Sequence, residues 1–457
     1  MMDARPNMTR RARRSVQEPR FITGSLLRHI LVMTSAGAIG LMTVFIGDLA
    51  NIYFLSLLAD QIIVAAVSYA SSIVSLTIYI GVGLAIATTA AVSPVLGAGY
   101  RIRARRLSVN ALIWAFVVSV FLAVILWIAV PSLMTLLGAR GRTHDLACDY
   151  LRIMVFGLPP IAVAIASSAV LRSSGDARRA MYMTIFGAVV NIVLDPILIF
   201  GAGLGIHGAA IASTVARFMM CILGLYYLIK VHDLLGRPKY ILWLKDAPLL
   251  AAVAIPAIVT NAATPTANAY ITSAISEFGD GAVAGWGIIG RIMPVAFGAI
   301  YALTGSVGPI IGQNFGIRNH QRMRQTLTLS LMVSAGFTLV AWLGLVVLAN
   351  PITTAFHAKG EAAELIQLFC RWLSPLFVFL GALFVCNAVF NTLGRPHVST
   401  MLNWTRATLG TIPFVLVGAH YGGAPGVLLG MMLGGIVVGL LAIVLAYRML
   451  AQLETEG

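Results

Sequence analysis

The sequence predicts an all-α integral membrane protein with twelve transmembrane helices in two six-helix lobes, and three observations lead there. Hydrophobic residues make up 59% of the 457 positions and charged residues only 10%, where a soluble domain carries about 25% charge. Apolar runs of spanning length recur along the whole chain. Short motifs of the first half reappear in the second.

The chain opens with a basic segment, 1–28, holding Arg5, Arg10, Arg11, Arg13, Arg14, Arg20 and Arg28 ahead of any apolar run. The run that follows is too long for a signal-peptide core and shows no cleavage site of small residues, so the segment is expected to be a retained, solvated cytoplasmic arm. Nucleic-acid binding, which a net charge of +15 suggests in a soluble protein, is not expected. The spans read as 29–57, 62–96, 107–131, 147–171, 180–201, 209–229, 249–275, 281–315, 326–349, 363–392, 398–418 and 426–447. They are continuously apolar, not alternating every second residue, which favours helices over a barrel. The runs 62–96 and 281–315 exceed the bilayer and must tilt, kink or protrude.

Connectors after every second span carry Arg101/Arg103/Arg105/Arg106, Arg172/Arg178/Arg179, Arg237/Lys239/Lys245, Arg318/Arg322/Arg324 and Arg395, and the alternate connectors are poor in basic residues, beginning with Asp60. Lys and Arg stay on the cytoplasmic side, so both termini, including 449–457, are expected inside a cytoplasmic (inner) membrane. Cys148, Cys221, Cys370 and Cys386 have no C-x-x-C spacing and read as packing residues.

Duplication sets the domain plan. Val92-Ser93-Pro94-Val95-Leu96-Gly97 and Val307-Gly308-Pro309-Ile310-Ile311-Gly312 each lead into a basic loop, and Ala169-Val170 precede Gly175 as Ala388-Val389 precede Gly394. The expected lobes are 29–229 and 249–448, joined by a cytoplasmic linker at 230–248. Each half has an even number of spans, so the repeats are parallel, an arrangement in which two bundles rock about a central site.

Ionisable residues inside spans cost about 2.5–3.5 kcal/mol at the bilayer centre and are therefore candidates for function. Asp48 lies in the first span with Asn51 one turn on, and Asn191 and Asp195 share a face of the fifth span ahead of Pro196, which frees a carbonyl. Two carboxylates, amide oxygens and a loosened backbone suit a proton or a hard monovalent cation; the alternative is that each Asp only hydrogen-bonds a neighbouring helix. The second half lacks matching acids. Its Asn261, Asn387 and Asn391, with Asn51, Tyr270, Trp286 and Tyr301, form a candidate neutral, aromatic-edged cavity for amphipathic cations, or ordinary interhelical hydrogen bonds. Arg291 and Arg406 read as snorkelling or carbonyl-pairing residues. Arg217 has no evident partner in the sequence.

The stretches Gly47-Asp48 through Phe54, Ser93 through Gly99, Leu171 through Asp176, Asn191 through Pro196 with Gly208-Ala209-Ala210-Ile211-Ala212, and Gly290-Arg291 through Asn314 resemble the multidrug and toxic compound extrusion (MATE) family in its prokaryotic DinF-like branch. The resemblance implies two lobes around a V-shaped cavity and export of organic, mostly cationic compounds in exchange for H⁺ or Na⁺. Its cation site maps onto Asp48, Asn191 and Asp195, with Tyr150 and Ser213 in the same network, and Na⁺ at the first three is the one metal expected. The family's proline early in span one is absent between Leu31 and Asp48, as are the second-lobe acids of some members. Neither cofactor nor catalytic residue is expected, so the chain is read as a non-enzyme. Its expected partners are small organic substrates and the bilayer, with the chain acting as a monomer. A lipid-linked oligosaccharide flippase of related fold is the alternative; it would be expected to carry extra spans or several cationic side chains in its cavity.

Overall fold

The computed structural model describes residues 19–58 and 61–456; Arg5, Arg10, Arg11, Arg13, Arg14 and Asp60 lie outside the described residues. Among those, the regular elements are all helical: α1 (Leu26–Ser56), α2 (Gln61–Gly97), α3 (Arg101–Leu136), α4 (Gly141–Val155), α5 (Leu158–Ser173), α6 (Ala177–Pro196) and α7 (Gly205–Tyr226) come first. After them run α8 (Tyr240–Ser276), α9 (Asp280–Ala296), α10 (Gly298–Gly316), α11 (His320–Ala355), α12 (Glu361–Leu368), α13 (Phe377–Thr392), α14 (Pro396–Ala407) and α15 (Ile412–Glu456).

These elements resolve into twelve spans. Two spans are bent by 47°, α4 with α5 and α9 with α10. Pro159 and Pro160 at the start of α5 offer no N–H to the last carbonyls of α4, and Pro294 does the same near the end of α9. Thus the long run 281–315 kinks, whereas its counterpart 62–96 stays one unbroken helix. The stretch Pro396–Thr455 folds back at Gly423, whose φ of 59° and ψ of −147° interrupt α15. The two arms meet through glycine: a Cβ on Gly418, Gly430 or Gly434 would collide with the carbonyl oxygen of Gly426, Phe414 or Gly410 respectively. Small residues are what allow helix backbones to approach this closely.

Within the first lobe α1 packs on α6, α2 on α5 and α6 on α7; within the second α8 packs on α14 and α13 on α15. The lobes meet where α1 and α2 cross α10 and α8. Here the duplicated motifs face each other. A Cβ on Gly97 would strike Gln313 O, one on Gly316 would strike Pro94 O, and one on Gly312 would lie 2.5 Å from the Ser93 Cβ. These approaches sit next to the basic connectors, so the lobes are closed at the basic end.

Three expectations change with the structure. The basic arm is not solvated up to residue 28: Phe21 is buried, its N–H donates to Gln313 Oε1 at 3.0 Å, and its carbonyl accepts from Asn314 Nδ2 and Arg322 Nη2. Arg20 reaches Gly175 O of the first lobe, so this segment straps the two lobes together. An arginine-rich stretch gives no sequence sign of one phenylalanine finding a pocket. The linker 230–248 is partly helical, since α8 begins at Tyr240, and its buried Asp246 accepts from Arg106 Nη2 at 3.0 Å and Asn110 Nδ2 at 2.7 Å. The terminal stretch 449–456 continues α15, with Met449 and Leu450 buried.

Candidate functional site

The buried carboxylate of Asp195 anchors the first candidate site. Asp195 is fully buried at the end of α6, and Pro196 is followed by a wide π turn, Ile197–Gly201, where the missing N–H relaxes the helix. Because α1 packs on α6, Asn51 comes opposite, and its Nδ2 donates to both Asp195 oxygens at 3.2 and 3.0 Å. One turn back, Asn191 Oδ1 is buried with no hydrogen-bond partner. A buried polar atom normally finds a partner; an acceptor without a donor beside a carboxylate is the donor set a cation or proton would complete.

The other expected members are nearby but differently placed. Tyr150 is buried on α4 and lies within electrostatic reach of Arg217, Asp195 and Asp48. Asp48 is exposed and makes no hydrogen bond to Asp195 among the described residues; Arg217 lies within electrostatic reach of it. That residue, without a visible partner in the sequence, donates to Met154 O at 3.5 Å and lies within electrostatic reach of Tyr150 and Asp48. Ser213 is half-buried on α7, beside α6, and its hydroxyl makes no hydrogen bond among the described residues.

A second site lies between the lobes, as two adjoining chambers of about 260 Å³ and about 320 Å³ that share Val82, Ile165, Arg172, Thr304 and Gly305. Asn261, Asn387 and Asn391 line the first chamber, and Tyr301 lines the second. Neither Asp48 nor Asp195 lines either one. Three residues expected in the cavity are elsewhere. Asn51 belongs to the carboxylate site, Trp286 is buried in the second lobe with Nε1 donating to Thr272 Oγ1 at 2.9 Å, and Tyr270 packs against that same core. An aromatic on a mostly apolar helix reads the same in sequence whether it faces core or cavity.

Arg172 was assigned to a basic connector and is instead the last-turn residue of α5, turned into both chambers. Its Nη1 donates to Ser168 Oγ at 2.8 Å, one turn back. The i,i+4 spacing of Ser168 and Arg172 was the available signal. Arg406 donates to Thr264 Oγ1 at 3.0 Å on the wall of the first chamber, and Arg291 is exposed.

The comparisons agree with this architecture. The MatE family model matches residues 37–197 and 256–417. A protein named FAD transporter from Shewanella oneidensis is 30% identical over 433 residues, covering 92% of this chain and 94% of its own. Multidrug export protein MepA of Staphylococcus haemolyticus is 23% identical, with 95% and 96% covered. The Vibrio cholerae MATE transporter VcmN in its bent form superposes with a TM-score of 0.89 at 25% identity, covering 94% of this chain and 98% of that one. With two matched segments across most of its helices, twelve spans in two lobes and relatives named as transporters, the chain belongs to the MATE family of membrane transporters.

Proposed function

We propose that the protein is a secondary active exporter of organic compounds, driven by entry of H⁺ or Na⁺ at the first-lobe carboxylate site and working by alternating access. One observation carries this reading: a fully buried Asp195 is held by a single amide donor with the orphan Asn191 Oδ1 beside it. An intramembrane acid without a neutralising side-chain partner is a functional site by default. The basic end, where the lobes are closed, is the cytoplasmic face under the distribution of Lys and Arg. The chambers then open outward. Cation binding favours one state of the lobes and cargo the other, and that differential affinity is the coupling.

The names of the relatives, for FAD and for multidrug export, frame the range of cargo. A cationic cargo, expected from sequence, meets no carboxylate in either chamber and faces Arg172 instead. The flippase alternative required several cationic side chains or extra spans; twelve spans and one lining arginine favour export.

The test is gradient-driven uptake by inside-out vesicles. Asp195→Asn abolishes driven transport and Asp48→Asn weakens it; full transport in both variants overturns the assignment. Replacing sodium at fixed pH separates the two ions.

A further inference from the structure

The chambers between the lobes carry positive charge and no negative one. Arg172 is the charged residue lining them, it borders both, and no Asp or Glu is among their lining residues. Among the described residues its guanidinium donates only through Nη1, to the neutral Ser168 hydroxyl, so Nε and Nη2 remain for a ligand. Arg406 adds positive potential through the wall at Thr264. An unpaired guanidinium in a low-dielectric cleft attracts anions, and its planar fork matches phosphate, sulfonate or carboxylate.

The rest of the lining narrows the class. Asn387 Oδ1 and Asn391 Oδ1 are buried acceptors with no partner, and Asn391 is only 5% exposed. They call for N–H or O–H donors on the cargo. The hydroxyls of Thr260 and Thr304 donate to carbonyls of their own helices, which leaves the arginine as the chamber's strongest free donor. Tyr301 and Phe384, tilted against each other at 5.4 Å, give an aromatic wall. We propose that Arg172 selects anionic cargo: a planar aromatic compound that carries a phosphate, sulfonate or carboxylate. The proposal rests on the export reading for its direction of transport, but the binding step stands by itself.

The experiment compares two dyes on one ring scaffold, anionic fluorescein and cationic rhodamine 6G, by fluorescence anisotropy with the purified full chain in neutral detergent. The wild type binds fluorescein more tightly. Arg172→Gln weakens fluorescein at least tenfold, or about 1.4 kcal/mol, and leaves rhodamine 6G unchanged, while Arg172→Lys keeps part of the affinity. Equal fluorescein binding by Arg172→Gln, or a wild-type preference for rhodamine 6G, overturns the proposal. Should the Gln variant fail to fold, the wild-type ratio of the two affinities decides alone. An anionic lipid headgroup offers the same chemistry, so phosphatidylglycerol is added as competitor: fluorescein that stays bound supports a cargo site, and its displacement makes the arginine a lipid site and overturns the assignment. Asp195→Asn retains fluorescein binding while losing driven transport. If Asp195→Asn still transports and Arg172→Gln still loses the dye, the coupling reading falls and this one survives.

Discussion

Gln313→Leu tests the seal at the basic end. Gln313 is buried on α10, and its amide joins three parts of the molecule: Nε2 donates to Ser173 O of the first lobe at 2.7 Å, and Oε1 accepts from Phe21 N of the strap at 3.0 Å. Leucine has similar bulk and neither polar atom. The Ser173 carbonyl and the Phe21 N–H are then left buried and unpaired, each costing about 1–3 kcal/mol. Opening the basic end would hydrate both, so the closed state loses about 2–6 kcal/mol relative to the open one. That raises the open population by about 30- to 20,000-fold. The assay begins with Cys148, Cys221, Cys370 and Cys386 replaced and a reporter placed on the chamber wall by Thr304→Cys. Inside-out vesicles are then treated with a membrane-impermeant maleimide. Faster labelling in the Gln313→Leu background is the expected result. An unchanged labelling rate in a protein that still folds and transports would refute the seal.

Three other perturbations follow from named contacts. Asn51→Leu removes the donor to both oxygens of Asp195; a hydrogen bond to a charged group is worth about 1.5–3 kcal/mol, so the apparent affinity for the coupling ion shifts at least tenfold, and an unaltered ion dependence of uptake would remove Asn51 from the site. Gly434→Ala drives a methyl into the Gly410 carbonyl and is expected to lower the melting temperature in detergent or prevent a monodisperse peak; a wild-type melting curve would show that the hairpin gives way there. Asp176 lies in the α5–α6 loop: burial raises its pKa, but hydrogen bonds from His232 at 2.9 Å and from Arg179 outweigh it and hold the carboxyl well below the usual range. A depressed pKa contributes stability above the unfolded value near 3.9 that is lost as pH falls through the folded one. The melting difference between wild type and Asp176→Asn should hold steady from pH 6 to 8 and shrink below about pH 4; a difference that grew on acidification would reverse the sign assigned here.

The spans and the carboxylates were legible in the sequence because hydrocarbon imposes one-dimensional rules: a span must be apolar over its length, and a buried Asp stands out from it. Asn191 and Asp195 share a face by spacing alone. What the spacing does not carry is which helix comes opposite. Asn51 was grouped with Asp48 and the cavity, but the packing of α1 on α6 hands it to Asp195. Arg172 looked like a connector residue because it sits among basic neighbours near a helix end; a side chain with four rotatable bonds can turn from that position to the interior, and one turn of helix decides which. Phe21 was hidden in the arginine-rich arm for the opposite reason, since a single apolar residue there has no periodicity to announce it.

The two sites together set the electrical character of transport. A cation exported one-for-one against an entering cation moves no net charge, and the membrane potential contributes nothing. The proposed reading gives a different balance. Under it the fully buried Asp195 takes up one entering cation per cycle. If Arg172 selects a monoanion, its exit and the cation's entry carry charge in the same electrical sense. Two elementary charges then cross per cycle, worth about 4.6 kcal/mol per 100 mV, enough to sustain a cargo gradient of about a thousandfold. Proteoliposomes clamped with valinomycin and graded potassium should therefore show anionic cargo flux that rises steeply with potential at constant pH and sodium. Flux of the anionic dye that ignores the clamped potential would refute this balance, whether because compensating cations leave with the cargo or because Arg172 is outside the cargo path, and the Arg172→Gln binding measurement tells those two failures apart.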